Sequence, residues 1–340
     1  MNAQSTLAGE IRQNIVTDRW VIYTPERANR PGQVRERRTR AAYLPDHDAG
    51  CPFCAGNEEM LPSIVFELAA DSDGLWHTRI VPNKYPVLTS ETDVAGTNRG
   101  IHLVTTNYGR HEIIIESPFH NRDLPVMAHE EIEAVVETYA RRHSELYGMD
   151  ESIQSVLIFR NHGEQAGTSI RHPHSQVVAS GIVPEFVARR ERIAEGYFQQ
   201  NHRCILCDVV DLEQMDRARV IYENASFLLF VPFAAEVPFE LWIAPTRHSP
   251  DFGLISRLEK EHFALALQDA LQILHDRLDD PDYNCLIHSY SRQHSIVPYL
   301  HWYLQIRPHL IPPSGFEIGS GMQVNSSLPE HDAEVLRQEV

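Results

Sequence analysis

The chain has 340 residues, 42% of them hydrophobic, and a formal net charge of −17. That is enough apolar material for one large domain or two ordinary ones, and the acidic excess argues against nucleic acid as a partner. No apolar run approaches the roughly 20 residues of a membrane helix, and the start, Met1-Asn-Ala-Gln-Ser5, has neither the basic nor the apolar region of a secretory signal; the expectation is a cytoplasmic protein with no membrane partner.

Arg19-Trp-Val-Ile-Tyr23 reads as a short strand, because β-branched and aromatic residues suit a pleated, half-buried surface. Thr24 to Pro31, which holds Arg27 and Arg30, is marked as a loop by Pro and Asn. A polar linker, Thr39 to Gly50, leads to Cys51-Pro-Phe-Cys54. Strands are expected at Leu75–Val81, Gly100–Thr106 and, more clearly, His111–Ser117. Ala128 to Tyr147 is an amphipathic helix, with Ile132, Val135, Val136, Tyr139 and Leu146 near one face. A strand at Ser155–Phe159 precedes a glycine-bearing polar loop, Asn161 to Ser169, which delivers His172-Pro-His174-Ser-Gln176. That strand continues to Ala179, and a charged helix follows from Pro184 to Gln200.

The second half repeats the plan. Strands are expected at Arg219–Tyr222, Phe227–Val231, Phe239–Ala244, Leu286–Ile287 and Trp302–Arg307, with one long helix from Ser256 to Leu278. Adjacent strands with one long helix per half point to an α+β fold, a mostly antiparallel sheet with packed helices. His120 and His172 are 52 positions apart, and His248 and His301 are 53 apart. Each pair follows a Cys-x-x-Cys motif, so the chain looks internally duplicated, with halves at 1–183 and 184–340. The copies differ where it matters: the first has His174, the second Tyr303. One working site and one retired site are expected.

Cys51, Cys54, His120 and His172 offer two thiolates and two imidazoles, the ligand set of a tetrahedral structural zinc. Cys204, Cys207, His248 and His301 offer the set again. A single Cys-x-x-Cys is a weak signal, and reduced thiols beside ordinary histidines are the bland alternative. Two matched sets favour zinc, more firmly at the first than at the second. Cys285 is left over and reads as a small buried residue.

His172, His174 and Gln176 alternate along a strand and so share one face. A neutral imidazole attacks phosphorus near pH 7 without a separate base, which makes His174 the candidate nucleophile. The Gln176 amide can donate to a phosphoryl oxygen, and Gly163, Gly167, Thr168 and Ser169 could surround the phosphate. Arg27 and Arg30 could reach further phosphates. A strand histidine taken alone is more often structural. Here it persists in one half only, beside phosphate-suited residues.

His172-Pro-His-Ser-Gln176, Arg27-Ala-Asn-Arg30-Pro31, Cys51-Pro-Phe-Cys54, Asn83-Lys-Tyr-Pro86 and Asn161 with its glycine loop together resemble the galactose-1-phosphate uridylyltransferase family, a branch of the histidine-triad superfamily. The resemblance runs from about Trp20 to Pro329. It implies two histidine-triad-like halves around a half-barrel sheet, a homodimer and ping-pong transfer. In that scheme His174 takes a nucleotidyl group from a nucleotide-sugar, UDP-glucose being favoured, and passes it to a sugar-1-phosphate or inorganic phosphate. It also implies that Asn161, Ser169 and Gln176 hold the transferred phosphoryl group, that Arg27, Arg30 and Asn83 lie near the nucleotide, and that the first Cys/His set is structural zinc. Gln176 in the third triad position disfavours a nucleotide hydrolase, and a non-catalytic zinc scaffold is the remaining reading. The sequence departs from the family at Ile170-Arg171, at Lys84 and in Gly315–Gln323, the stretch that corresponds to hexose binding. The second Cys/His set looks like that of two-zinc members related to plant ADP-glucose phosphorylase. Adenylyl transfer to phosphate is therefore the alternative.

Overall fold

The computed structural model describes residues 9–29, 44–70, 75–91, 95–292 and 297–338. Arg30 lies outside the described residues.

The first apolar-alternating segment closes a hairpin, β1 (Glu10–Asn14) with β2 (Arg19–Tyr23). The Pro- and Asn-bearing loop after it winds into a 3₁₀ turn, Pro25–Asn29. Then come β3 (Phe66–Ala69), β4 (Trp76–Pro82), an exposed hairpin of β5 (Gly96–Arg99) and β6 (His102–Thr105), and β7 (Gly109–Ile115). Helix α1 (His129–Met149) buries the expected stripe of Ile132, Val135, Val136, Tyr139 and Leu146. Strand β8 (Ser155–His162) runs further than its apolar stretch suggests, so Asn161 stands on the strand and not in the loop. β9 (His174–Ser180) begins at the candidate nucleophile.

The second series opens with α2 (Glu185–Asn201) and α3 (Ile205–Asp216). The sequence reading misses α3, which starts at the second Cys-x-x-Cys with Cys204 at its N-cap. β10 (Val220–Glu223), β11 (Phe227–Phe230) and β12 (Leu241–Pro245) precede α4 (Arg257–Leu278). A reciprocal cap starts α4: Ser256 Oγ accepts from the Glu259 N–H at 3.3 Å, and Glu259 Oε2 accepts from the Ser256 N–H at 2.8 Å. β13 (Tyr283–His288), β14 (Tyr303–Pro308), α5 (Gly315–Ser320), β15 (Gln323–Asn325) and α6 (Pro329–Arg337) complete the chain. β15 pairs parallel to β2, which ties the two ends of the chain together.

One antiparallel ten-stranded sheet has the order β10-β11-β12-β14-β13-β8-β9-β7-β4-β3. Outward from its centre, β8-β9-β7-β4-β3 is matched by β13-β14-β12-β11-β10, and β8 pairs directly with β13. The duplication expected from motif spacing is thus a mirrored strand order about one shared seam.

Helices α1 and α4 lie on one face of this sheet. Ile114, Ile158 and Val177 from the first half and Phe227, Ile243 and Leu304 from the second join them in a single core. Each such side chain contributes roughly 1.5–3 kcal/mol by leaving water. The other face is treated differently in the two halves. In the second, α2 and α3 bring Ala194, Ile205, Leu206 and Val210 down on Trp242 and Tyr303. In the first, a small cluster of Cys51, Phe53, Cys54, Trp76, Val81 and Ile115 covers only part of it. The same face carries His174, Gln176 and Asn161.

Candidate active site and metal centres

The Cys51–Cys54 turn closes on itself through Cys54 N–H to the Cys51 carbonyl, and Ala55 N–H bonds the Pro118 carbonyl, which seats the turn beside His120. Cys54 Sγ lies 3.5 Å from His120 Nδ1 and 3.6 Å from His172 Nδ1, and Cys51 Sγ lies 3.7 Å from His172 Nδ1. A tetrahedral zinc with Zn–S of about 2.3 Å and Zn–N of about 2.0 Å sets S···N edges near ~3.5 Å. The four donor atoms, all within 4.8 Å of one another, fit such an ion. His172 Nε2 donates to the Ser117 carbonyl at 2.7 Å, so the Nδ1 lone pair faces the sulfurs. Burial pushes the Cys51 thiol up to about 11, so without a bound cation it keeps its proton.

His174 is buried, with 7% of its surface exposed. Its Nδ1 donates to the His172 carbonyl at 2.8 Å. The other nitrogen, Nε2, then carries the lone pair. Burial lowers the pKa of His174 from the ordinary imidazole value, so the ring is neutral at pH 7. Phe53, from the Cys-x-x-Cys turn, stands edge-on to this ring with centroids 5.4 Å apart. The metal turn therefore touches the candidate nucleophile through Phe53 as well as through His172.

Gln176 is turned by a residue the sequence reading did not single out. Val87 N–H donates to His111 Nδ1 at 3.2 Å, so His111 carries its proton on Nε2. That Nε2–H donates to Gln176 Oε1 at 2.8 Å, which leaves the Gln176 NH₂ to face elsewhere. Asn83 joins the same group: its Oδ1 accepts from Tyr85 N–H at 2.8 Å, and its Nδ2 lies 3.2 Å from His111 Nε2.

The glycine loop is folded against the second half. Gly163 sits at φ +83°, and a Cβ there would fall 1.9 Å from Asp282 Oδ1, so only glycine fits. Gln165 N–H donates to Asp282 Oδ2 at 2.8 Å. Thr168 Oγ donates to the Asn161 carbonyl, closing the loop onto β8, while Ser169 stays exposed.

Behind β9, on the core side, lies a buried polar chain. Glu116 accepts from Tyr139 Oη at 2.6 Å, from Ser175 Oγ at 2.5 Å and from Arg160 Nε at 2.9 Å. Arg160 also bonds Asp123, and Asp123 bonds His162 Nδ1 at 3.0 Å. No motif marks these residues; the single signal was a Glu and an Arg inside otherwise apolar strands.

A family model described as galactose-1-phosphate uridyl transferase, N-terminal domain, matches residues 2–184. ADP-glucose phosphorylase of Arabidopsis thaliana is 34% identical over 333 residues, 97% of this chain and 92% of that protein. The galactose-1-phosphate uridylyltransferase of Thermotoga maritima is 26% identical over 342 residues, 97% of this chain and 98% of that protein. Among solved structures, the Arabidopsis ADP-glucose phosphorylase with bound ADP-glucose superposes with a TM-score of 0.82 at 32% identity, covering 98% of this chain and 99% of that one.

The chain belongs to the galactose-1-phosphate uridylyltransferase family.

In this uridylyltransferase-family fold the second Cys/His group is as well formed as the first. Cys207 Sγ lies 3.4 Å from both His248 Nδ1 and His301 Nδ1, and with Cys204 the four donors again fall within 4.8 Å. It differs in what stands behind it: among the described residues the buried Nε2 atoms of His248 and His301 have no hydrogen-bond partner. The face of β14 equivalent to that of His174 on β9 is filled. Tyr303 packs 4.3 Å from the Trp242 ring and 4.6 Å from the His288 ring. Gln305, the counterpart of Gln176, has its amide turned over. Its Oε1 faces His288 Nε2 at 2.7 Å and its Nε2 donates to the fully buried Glu240 at 2.6 Å. In strand register Glu240 stands where His111 stands in the first half. An acceptor there draws the amide nitrogen; a donor there draws the oxygen.

Arg27 lies on the 3₁₀ turn Pro25–Asn29, where its charge acts on Glu317 of α5. Among the described residues no helix is long and apolar enough to cross a membrane.

Proposed function

We propose that the chain is a nucleotidyltransferase that carries a nucleoside monophosphate from a nucleotide-sugar to a hexose-1-phosphate through a covalent adduct on His174, with UDP-glucose as donor. The observation that carries this reading is the His174 ring itself, held by Nδ1 with its Nε2 lone pair free, beside two amides. The lone pair forms a bond to the α-phosphorus as the bond to the hexose-1-phosphate oxygen breaks. The leaving group departs as a phosphate and needs no proton, so donors that stabilise charge matter more than an acid. Gln176, Asn161 and Ser169 supply those donors, while Thr168, its hydroxyl proton given to the Asn161 carbonyl, closes the loop that carries Ser169. This reading assigns Arg27, Arg30 and Asn83 to recognition of the nucleotide. Return of the nucleotidyl group to a second sugar phosphate restores free His174. Gln176 cannot protonate a leaving group as a histidine would, which counts against hydrolysis.

Zinc bound by Cys51, Cys54, His120 and His172 would fix the start of β9, and a second ion at Cys204, Cys207, His248 and His301 would anchor α3. A cytoplasmic setting, where thiols stay reduced, suits those four cysteines. Residues 1–183 carry the working half and 184–340 the degenerate one, and the protein acts as a homodimer.

A second reading is adenylyl transfer from ADP-glucose to inorganic phosphate. It is favoured by the 34% identity with the Arabidopsis ADP-glucose phosphorylase across 97% of this chain and by the second Cys/His group. Intact mass after brief mixing with UDP-glucose, and separately with ADP-glucose, tests both. A uridylyl or an adenylyl addition identifies the donor, and His174→Ala abolishes either one. A zinc-loaded protein that gains no mass with either donor would overturn both readings.

A further inference from the structure

The candidate nucleophile stands in one half, but the amide opposite it is held from the other. At the central seam Asn161 of β8 pairs in register with Asn284 of β13. Asn284 Nδ2 donates to the Ala166 carbonyl at 3.0 Å and to Asn161 Oδ1 at 2.9 Å, and its own Oδ1 accepts from His309 Nε2 at 2.5 Å. A peptide carbonyl can only accept. Ala166 therefore decides which end of the Asn284 amide faces it, and that end is NH₂. The second N–H of the same NH₂ meets Asn161, which must present oxygen to it.

With its oxygen committed, Asn161 has only NH₂ left to offer. No protein acceptor among the described residues takes that group. It lies on the side of the glycine loop, where a Cβ on Gly167 would stand 3.7 Å from Asn161 Nδ2. Phe159 pairs with Gln176 in register, so Asn161, two residues further on, shares the face of Gln176 and His174.

We propose that Asn284, in the half that lacks the nucleophile, is a positioning residue: it turns Asn161 so that NH₂, not oxygen, meets the transferred phosphoryl group. This rests on His174 being the nucleophile. A reversed Asn161 would set its oxygen against phosphoryl oxygens, losing a donor and adding repulsion where charge builds. The retired half thereby acts in the working site, through the seam.

The test is the first-turnover rate of nucleotidyl-enzyme formation, read by intact mass with UDP-glucose and with ADP-glucose. It compares wild type, Asn161→Ala, Asn284→Asp, Asn284→Ala and the pair Asn161→Ala with Asn284→Asp, with thermal unfolding to check each fold. Asn284→Asp places a carboxylate where NH₂ stood, and Asn161 turns its NH₂ toward that carboxylate. The expected result is a rate about 100-fold lower, the size of losing one preorganised donor, with the donor KM little changed. Asn161→Ala falls by a similar factor, and the pair is no slower than Asn161→Ala alone. Should Asn284→Asp fail to fold, Asn284→Ala leaves Asn161 free to turn either way, and its smaller loss must likewise vanish in the Asn161→Ala background. Losses that multiply in the pair, or Asn284 variants at the wild-type rate, overturn the proposal. If Asn161→Ala keeps the wild-type rate while His174→Ala forms no adduct, the positioning role falls and the nucleophile stands. If the wild type forms no adduct, both fall.

Discussion

A histidine becomes a usable nucleophile when its proton is placed, and in the proposed reading of His174 a backbone carbonyl places it. The same economy governs the strand behind it. Glu116 N–H bonds the Pro173 carbonyl, and its carboxylate accepts from Ser175, so one residue grips both sides of His174. That carboxylate is 1% exposed and shares its charge with Arg160. Glu116→Ala would leave Arg160 with Asp123 as its remaining carboxylate and take from Tyr139 and Ser175, which face each other at 2.6 Å, the carboxylate they share. We expect a loss of about 3 kcal/mol in chemical denaturation, the range for breaking a buried ion pair, with Glu116→Gln losing markedly less. None of this was legible from the chain alone. His174 and Gln176 announce themselves by spacing, whereas Glu116, His111 and Asn284 acquire meaning only from partners 23 to 123 positions away.

Strands and long helices were largely readable, because alternation and the 3.6-residue stripe are local properties. Helix α3 was the exception. Its first turn contains Cys207, and a Cys-x-x-Cys that serves as a metal turn does not dictate the conformation of the residues after it. The helix exists to carry that group and to cover Trp242 and Tyr303. The histidines of that group, His248 and His301, have no orienting carbonyl like that of His172 among the described residues, so its hold on a metal should be the weaker of the two. During titration with a chelator, metal analysis should show about one equivalent leaving first. Cys207→Ser should bind one equivalent fewer, unfold at a lower temperature and still form the adduct on His174. Loss of the adduct in a folded Cys207→Ser protein would show that the second group matters for chemistry as well.

Across the whole molecule the two halves are joined by strand pairing and by charge. His162, at the end of β8, lies 3.0 Å from Asp123 of its own half and 3.0 Å from Asp280 of the other. Burial works to lower its pKa, and the two carboxylates overcome burial and raise it to about 9. The folded-state value is thus above the ordinary 6.5. The stabilisation is complete below pH 6.5 and is lost as pH rises from there through about 9. It is worth roughly 3 kcal/mol at most. Urea unfolding should show that decline in the wild type, and His162→Gln should flatten it. An unchanged slope in His162→Gln would place the pH dependence elsewhere.

The sequence by itself determined the fold class, the duplication, both Cys/His sets and the histidine that differs between the copies. Those rest on residue type and spacing along the chain, which periodicity and ligand chemistry constrain directly. Only the tertiary structure decided that Asn161 belongs to a strand at the seam and that α2 and α3 cover the face of the second half that carries Tyr303. It alone decided which way each amide turns. The physical reason is that an amide's direction, a ring's proton and a covered face are set by neighbours that meet only when β8 and β13 close the sheet.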